Sequence, residues 1–205
     1  MKKKGILFII SSPSGVGKTT IANFLVKSDE NIVRSVSFTT RNLRGDEKSS
    51  QDYFFITEEE FLKLCNEDKM LEYAKVFNYY YGTAKDSVEN LIEDGKDVLC
   101  CIDWQGAVQI KEKITAVSIF LLPPSLKELE KRLKGRGTDD GEVINYRLKI
   151  AKEEIKKYQI YDYVLINDDL KHTQKTVLDI IHAERNKLIH NEKNIAEFVN
   201  KILHC

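Results

Sequence analysis

At 205 residues the chain is long enough for one compact core with insertions, or for a core with a small lobe. Its 32 basic and 32 acidic residues cancel, which excludes a global field that would recruit nucleic acid or an anionic membrane. No apolar stretch is long enough to span a bilayer, and the N-terminal apolar run is too short for a signal-peptide core. Small-molecule partners are therefore expected, and four cysteines without zinc spacing, two of them adjacent in an apolar run, point to a reducing cytoplasm; nothing in the pattern speaks to oligomeric state.

In chain order, residues 5–10 form an unbroken apolar run, the pattern of a strand buried on both faces. Residues 11–17, rich in Ser, Pro and Gly, turn the chain. From Lys18 the pattern is helical, with Ile21, Phe24 and Leu25 on one side. The stretch GILFIISSPSGVGKTT thus reads as strand, Gly-bearing loop and helix, the architecture of a phosphate-binding P-loop. Loop and first-turn N–H groups converge on one hollow, and the positive end of the helix dipole faces it. Ser14, Gly15, Val16, Gly17, Lys18, Thr19 and Thr20 are the candidate ATP-phosphate residues, with Lys18 catalytic and the Thr19 hydroxyl placed to ligate Mg²⁺. Ser12 stands where the motif G-x-x-x-x-G-K-[ST] has its first glycine.

Further strands are expected at 32–38, 97–102, 116–122 and 163–166, alternating with helices, hence an α/β fold with a parallel sheet flanked by helices. Thr57 with Glu60 predicts a capping box, stapled by Ile56 and Phe61. Thr83–Asp86 resembles a second cap, with Asp94-Gly95 as the stop, and Ser125 with Glu128 a third. Ile144, Leu148, Ala151 and Ile155 share a helical face. A last helix is expected over 173–188, with an uninformative tail beyond it. Cys100 and Cys101, adjacent in an apolar run, read as buried thiols; the four cysteines have no zinc spacing.

Three polar clusters remain. TTRNLRGDEKSSQDY, residues 39–53, reads as a solvated loop in an arbitrary protein, but beside a P-loop as a place for a second substrate's phosphate. Asp103 closes an apolar strand, where P-loop proteins put an acid near metal and phosphates. Arg132, Arg136 and Arg147 lie in RLKGRGTDDGEVINYR, either an exposed basic face or a lid whose guanidinium forks close over phosphates.

Taken together, these motifs resemble the guanylate kinase family of nucleoside monophosphate kinases over nearly the whole chain. The resemblance is carried by SFTTRNLRGDE, DYFF, MLEYAKVFNYYYGT, IDWQGA, LPPS, RLKGRGT and YDYVLINDD, in the family's order. It implies a P-loop NTPase core (residues 1–34, 87–124 and 158–205), a GMP-binding lobe (35–86) and a helical lid (125–157). The implied reaction is Mg²⁺-dependent transfer from ATP to GMP, and to dGMP. Ser37, Arg41, Arg44 and Tyr53 would hold the GMP phosphate, with Tyr81 completing the cage. Glu72, Thr83 and Asp103 would read the guanine. Arg132, Arg136 and Arg147 would bind ATP phosphates, and Asn167 would lie near the adenine. Arg41, Arg44 and the three lid arginines join Lys18 as the implied catalytic set. The family usually has an acid where this chain has Cys101. Two rivals share the pattern. Scaffold-protein domains of this kind bind phosphopeptides, but they typically lack a working P-loop and sit in longer chains. A kinase with another acceptor is the second, against which Glu72 and Thr83 argue.

Overall fold

The computed structural model describes residues 3–43, 47–50, 53–76, 78–135 and 141–204. The apolar run at the start becomes β1 (Leu7–Ser11), every residue of which is buried. It is followed by α1 (Lys18–Ser28), β2 (Ile32–Arg34), β3 (Ser37–Thr39), β4 (Tyr53–Phe55) and α2 (Glu58–Asn66). Next come β5 (Met70–Val76), β6 (Tyr79–Ala84), α3 (Lys85–Glu93), β7 (Asp97–Cys101) and α4 (Trp104–Lys113). The chain continues through β8 (Val117–Leu122), α5 (Leu126–Lys134), α6 (Gly141–Ile155), β9 (Tyr163–Ile166), α7 (Leu170–Asn186) and α8 (Leu188–Leu203).

Five strands form a wholly parallel sheet in the order β2-β7-β1-β8-β9. Alternate side chains of β1 leave by opposite faces, as the pleat requires. Phe8 and Ile10 join Ile21 and Leu25 of α1 and Val177 and Ile181 of α7 in one cluster. Leu7 and Ile9 join Val88 of α3 and Ala107 and Ile110 of α4 in another. Helices thus cover both faces, which is why β1 reads as continuous rather than alternating hydrophobicity. The carboxyl ends of β1 and β7 lie side by side (Ile10 opposite Cys101), so the loops that leave them open at one edge of the sheet.

The second sheet, in the order β4-β3-β6-β5, draws on residues 37–84 and mixes one parallel with two antiparallel pairings. It has its own small core, in which Phe61, Met70 and Ala84 are buried against Phe38, Ile56 and Tyr80.

Several expectations need correction. The single strand foreseen over 32–38 is two strands in two sheets. Ser35 ends the first, its N–H and hydroxyl both donating to the Leu99 carbonyl at 3.0 and 3.2 Å. Beyond it the chain crosses to the second sheet, where Phe38 lies opposite Gly82. Thr83 caps nothing: the N-cap of α3 is Ala84, with no side-chain bond, and Thr83 belongs to β6. At α5 only half the box forms. Ser125 accepts from Glu128 N at 3.1 Å, while the Glu128 carboxylate turns to Arg132. The box at Thr57 is complete. The last core helix starts earlier than foreseen, at Leu170 under an Asp169 cap, and the tail forms α8, which has no buried residue. Among the described residues no helix is long and apolar enough to cross a membrane. Cys65, Cys100 and Cys101 are free thiols.

Candidate active site

The P-loop is shaped by two left-handed glycines, Gly15 at φ 94° and Gly17 at φ 113°, a region that side chains with a Cβ avoid. Gly17 is the N-cap of α1 and offers no side chain of its own, so the first-turn N–H groups stay available to a ligand. A Cβ on Gly17 would also stand 3.0 Å from Asn167 Nδ2. The fully packed Asn167 donates from that nitrogen to the Val16 carbonyl at 2.6 Å, fixing the loop from the end of β9. Its Oδ1 is buried without a partner among the described residues. Arg132 NH1 donates to the Asn167 carbonyl at 3.1 Å, while its Nε pairs with Glu128 on the same helix. Arg147 NH1 donates to Ser14 Oγ at 3.2 Å. Arg132 NH1 also reaches the Val16 carbonyl at 3.5 Å, so two of the three arginines expected in a lid touch the loop; Arg136 lies outside the described residues.

Around the loop opens a hollow of about 290 Å³ lined by Ser14, Gly15, Gly17, Lys18, Thr19 and Thr20, and across from them Asp103 and Glu154. Lys18 Nζ donates to the Ile102 carbonyl at 3.2 Å, just past the end of β7. Asp103 caps α4 by accepting from Gly106 N at 2.9 Å. Glu154, on α6, escaped the sequence reading. The one available signal was its spacing, seven residues after Arg147 on the same helix. Burial pushes its carboxyl up to about 7, against the pull of Lys18 and with the repulsion of Asp103.

A second hollow, of about 120 Å³, is lined by Ser37, Tyr53, Glu72, Tyr81, Cys101 and again Asp103, among others. The second sheet builds most of it. Register places Glu72 of β5 opposite Thr83 of β6, and Thr83 Oγ1 donates to Glu72 Oε1 at 2.7 Å. Burial is the main reason the Glu72 carboxyl rises to about 7; the Thr83 bond lowers it and Asp103 raises it further. Thr83 holds Glu72 and does not itself line the hollow.

Arg41 is 7% exposed and lies behind the hollow, 5.0 Å over the Tyr53 ring and 5.5 Å over that of Phe55. Its NH1 donates to Glu47 Oε2 at 2.6 Å and to the Asn42 carbonyl at 2.9 Å. The hydrogen bonds to Glu47 hold the guanidinium pKa above its ordinary value. Glu47 was not among the expected site residues, although it ends the SFTTRNLRGDE stretch. Arg44 lies outside the described residues. Cys101, on the wall of the second hollow, has its thiol pKa raised by burial, although Lys18 and Arg34 pull the other way.

Comparison with known proteins agrees with this geometry. The sequence model of the family described as guanylate kinase matches residues 4–184. The chain is similar to the guanylate kinase of Wolbachia pipientis wMel, 45% identical over 201 residues that cover 96% of this chain and 99% of that one. It is similar as well to the guanylate kinase of Rickettsia felis, at 48% identity over 188 residues covering 91% and 98%. The crystal structure of guanylate kinase from Anaplasma phagocytophilum superposes with a TM-score of 0.76 at 38% identity, covering 96% of this chain and 95% of that one.

Proposed function

The chain belongs to the guanylate kinase family, and from that premise we propose that it transfers the γ-phosphoryl group of ATP to GMP, and to dGMP. The observation that carries this reading is that the P-loop hollow and the hollow of the second sheet meet at Asp103, which lines both. Donor and acceptor phosphates seated in the two hollows come together at the end of β7. Transfer between two bound phosphates needs in-line placement, exclusion of water and stabilisation of developing charge. The acceptor oxygen belongs to an ionised phosphate, so no general base is called for.

In this reading residues 35–86 are the GMP lobe and residues 125–157 the lid over a P-loop core. Ser37, Tyr53 and Tyr81 offer hydroxyls to the GMP phosphate, and Arg41, with Arg44, supplies charge. Glu72, held by the Thr83 hydroxyl, accepts from guanine N1–H and the 2-amino group, and Asp103 holds the base edge beside it. Lys18 reaches the β- and γ-phosphates, Arg132, Arg136 and Arg147 flank them, and Asn167 lies towards the adenine.

The donors around the P-loop suit Mg²⁺. The Thr19 hydroxyl and the Asp103 carboxylate are hard oxygen groups on one hollow. No group of three or more His, Cys, Asp or Glu side chains able to hold a metal occurs among the described residues. Thr19 would hold the ion together with substrate phosphates and water, as Mg²⁺ usually is held in such sites. The chemistry supplied by a bound Mg²⁺ would be charge neutralisation at the transferring phosphate. A cytoplasmic location, where ATP and GMP are at hand, fits this activity.

The test is a coupled assay of ADP release with each nucleoside monophosphate in turn. Turnover with GMP and dGMP well above that with AMP, CMP or UMP is expected. No turnover with any acceptor would overturn the reading in favour of a binding module, and preference for another monophosphate would reassign the second hollow.

A further inference from the structure

Among the described residues the charged side chains that line the P-loop hollow are Lys18, Asp103 and Glu154, one cation and two acids in a place shaped for a polyanion. A carboxylate that faces bound phosphate repels it, so each acid needs a cation or a donor on its own side. Asp103 has one, since it caps α4 through Gly106 N. The Glu154 carboxylate is half-buried and makes no hydrogen bond or ion pair with another described residue. Among the described residues, the charge that favours its ionised form is Lys18.

Lys18 makes no ion pair with a carboxylate among the described residues. Its ammonium has three donors, and one is spent on the Ile102 carbonyl at 3.2 Å. The strand that ends beside it carries Cys101, a thiol whose pKa burial raises. Helix α6 meanwhile grips the P-loop from the other direction, with Arg147 on Ser14 Oγ. One lid helix thus presents a cation to the loop and, two turns on, an anion to the hollow where Lys18 stands.

We propose that Glu154 is a positioning residue for Lys18, holding its ammonium from the side away from ATP and supplying from the lid the acid that β7 lacks at Cys101. The inference rests on the phosphoryl-transfer reading above. It makes closure of α6 part of assembling the catalytic lysine, since Glu154 arrives only with the lid. It also fixes how the three ammonium donors are shared: a carbonyl, the Glu154 carboxylate, and phosphate.

The test is a double-mutant cycle on the full chain under single-turnover conditions, with Glu154→Gln, Lys18→Ala and the pair. If Glu154 acts through Lys18, E154Q lowers kcat about tenfold or more with KM for GMP near wild type, and adding it to Lys18→Ala costs nothing further. Glu154→Asp should recover part of the loss, which a merely space-filling role would not give. An unchanged kcat in E154Q, with tighter ATP binding by calorimetry, would show a bystander acid and overturn the proposal. Losses that multiply in the double variant would also overturn it, because Glu154 would then act independently of Lys18. If E154Q melts below the assay temperature, E154D is read by the same cycle. Failure of the underlying function reading looks different, since the wild-type protein itself would then not turn over GMP.

Discussion

Thr83 donates its hydroxyl hydrogen to Glu72 Oε1 at 2.7 Å, and the two side chains are only 1% and 6% exposed. The bond fixes one carboxylate oxygen and leaves Oε2 directed elsewhere. A buried acid tethered by one oxygen, on a hollow it shares with Asp103 and the hydroxyls of Ser37, Tyr53 and Tyr81, is suited to a ligand edge with adjacent donors.

Guanine presents N1–H and a 2-amino group side by side, whereas adenine sets a bare N1 lone pair against the acid. Glu72→Gln keeps the shape and loses the charge. It should raise KM for GMP and leave KM for ATP close to wild type, narrowing the preference for GMP over AMP by about tenfold or more. Measuring kcat/KM for both acceptors in both proteins checks this, and an unaltered GMP/AMP ratio would remove Glu72 from base recognition.

The pH dependence follows from the same residue. Without ligand, burial raises the Glu72 carboxyl to about 7, so near neutrality much of it is protonated. Guanine needs the ionised form, and GMP binding should therefore strengthen as pH rises to about 7 and level off above it. The GMP phosphate titrates in this range too, but it does so equally with E72Q, and the difference between the proteins isolates Glu72. Stability runs the opposite way. The folded protein keeps a proton that the unfolded chain, with its carboxyl near 4.5, has released. This contribution is fully present below about 4.5 and is lost as pH rises through 7. Glu154 acts in the same direction. Melting temperatures at pH 5 and pH 8 should fall more in wild type than in E72Q.

Gly106 offers a gentler probe. A Cβ there would lie 2.8 Å from Glu72 Oε2 and 3.2 Å from Ile102 Cδ1. The position is helical, so Gly106→Ala favours α4 itself by up to about 1 kcal/mol while pushing the carboxylate aside. KM for GMP should rise about tenfold with melting temperature and KM for ATP little changed. An equal loss for both substrates would mean that the helix, not Glu72, had moved.

Motion of the lid is readable by hydrogen exchange. Arg132 and Arg147 already reach Asn167 O and Ser14 Oγ, so α5 and α6 are seated on the P-loop by polar contacts that phosphates can extend. ATP and GMP together should protect Leu126–Lys134 and Gly141–Ile155 more than either alone. Protection that no ligand alters would make the segment a fixed surface.

How much of this was legible in advance depended on whether the signal was local. The P-loop was legible because its parts are contiguous: an apolar strand, left-handed glycines and a lysine at a helix start all lie within residues 5–20. The parallel sheet was legible because strands buried on both faces read as unbroken apolar runs. The second sheet was not. Its strands are half-exposed, and YFF and YYYGTA show neither alternation nor a continuous run. Residues 32–38 look like one strand because a sequence does not say which sheet a residue pairs with; Ser35 on Leu99 decides that.

By itself, then, the sequence determined the phosphate loop and the parallel core, since both are encoded in short-range order. Only the tertiary structure decided what those residues face. Thr83 looked like a helix cap until β5 and β6 paired and put Glu72 opposite it. Asp103 joins two hollows because β7 ends between two sheets. Glu154 lies 136 positions after Lys18 (154 − 18), and no local pattern links an acid on one helix to a lysine on another. Long-range electrostatics depend on distance through space, which packing sets and sequence spacing does not.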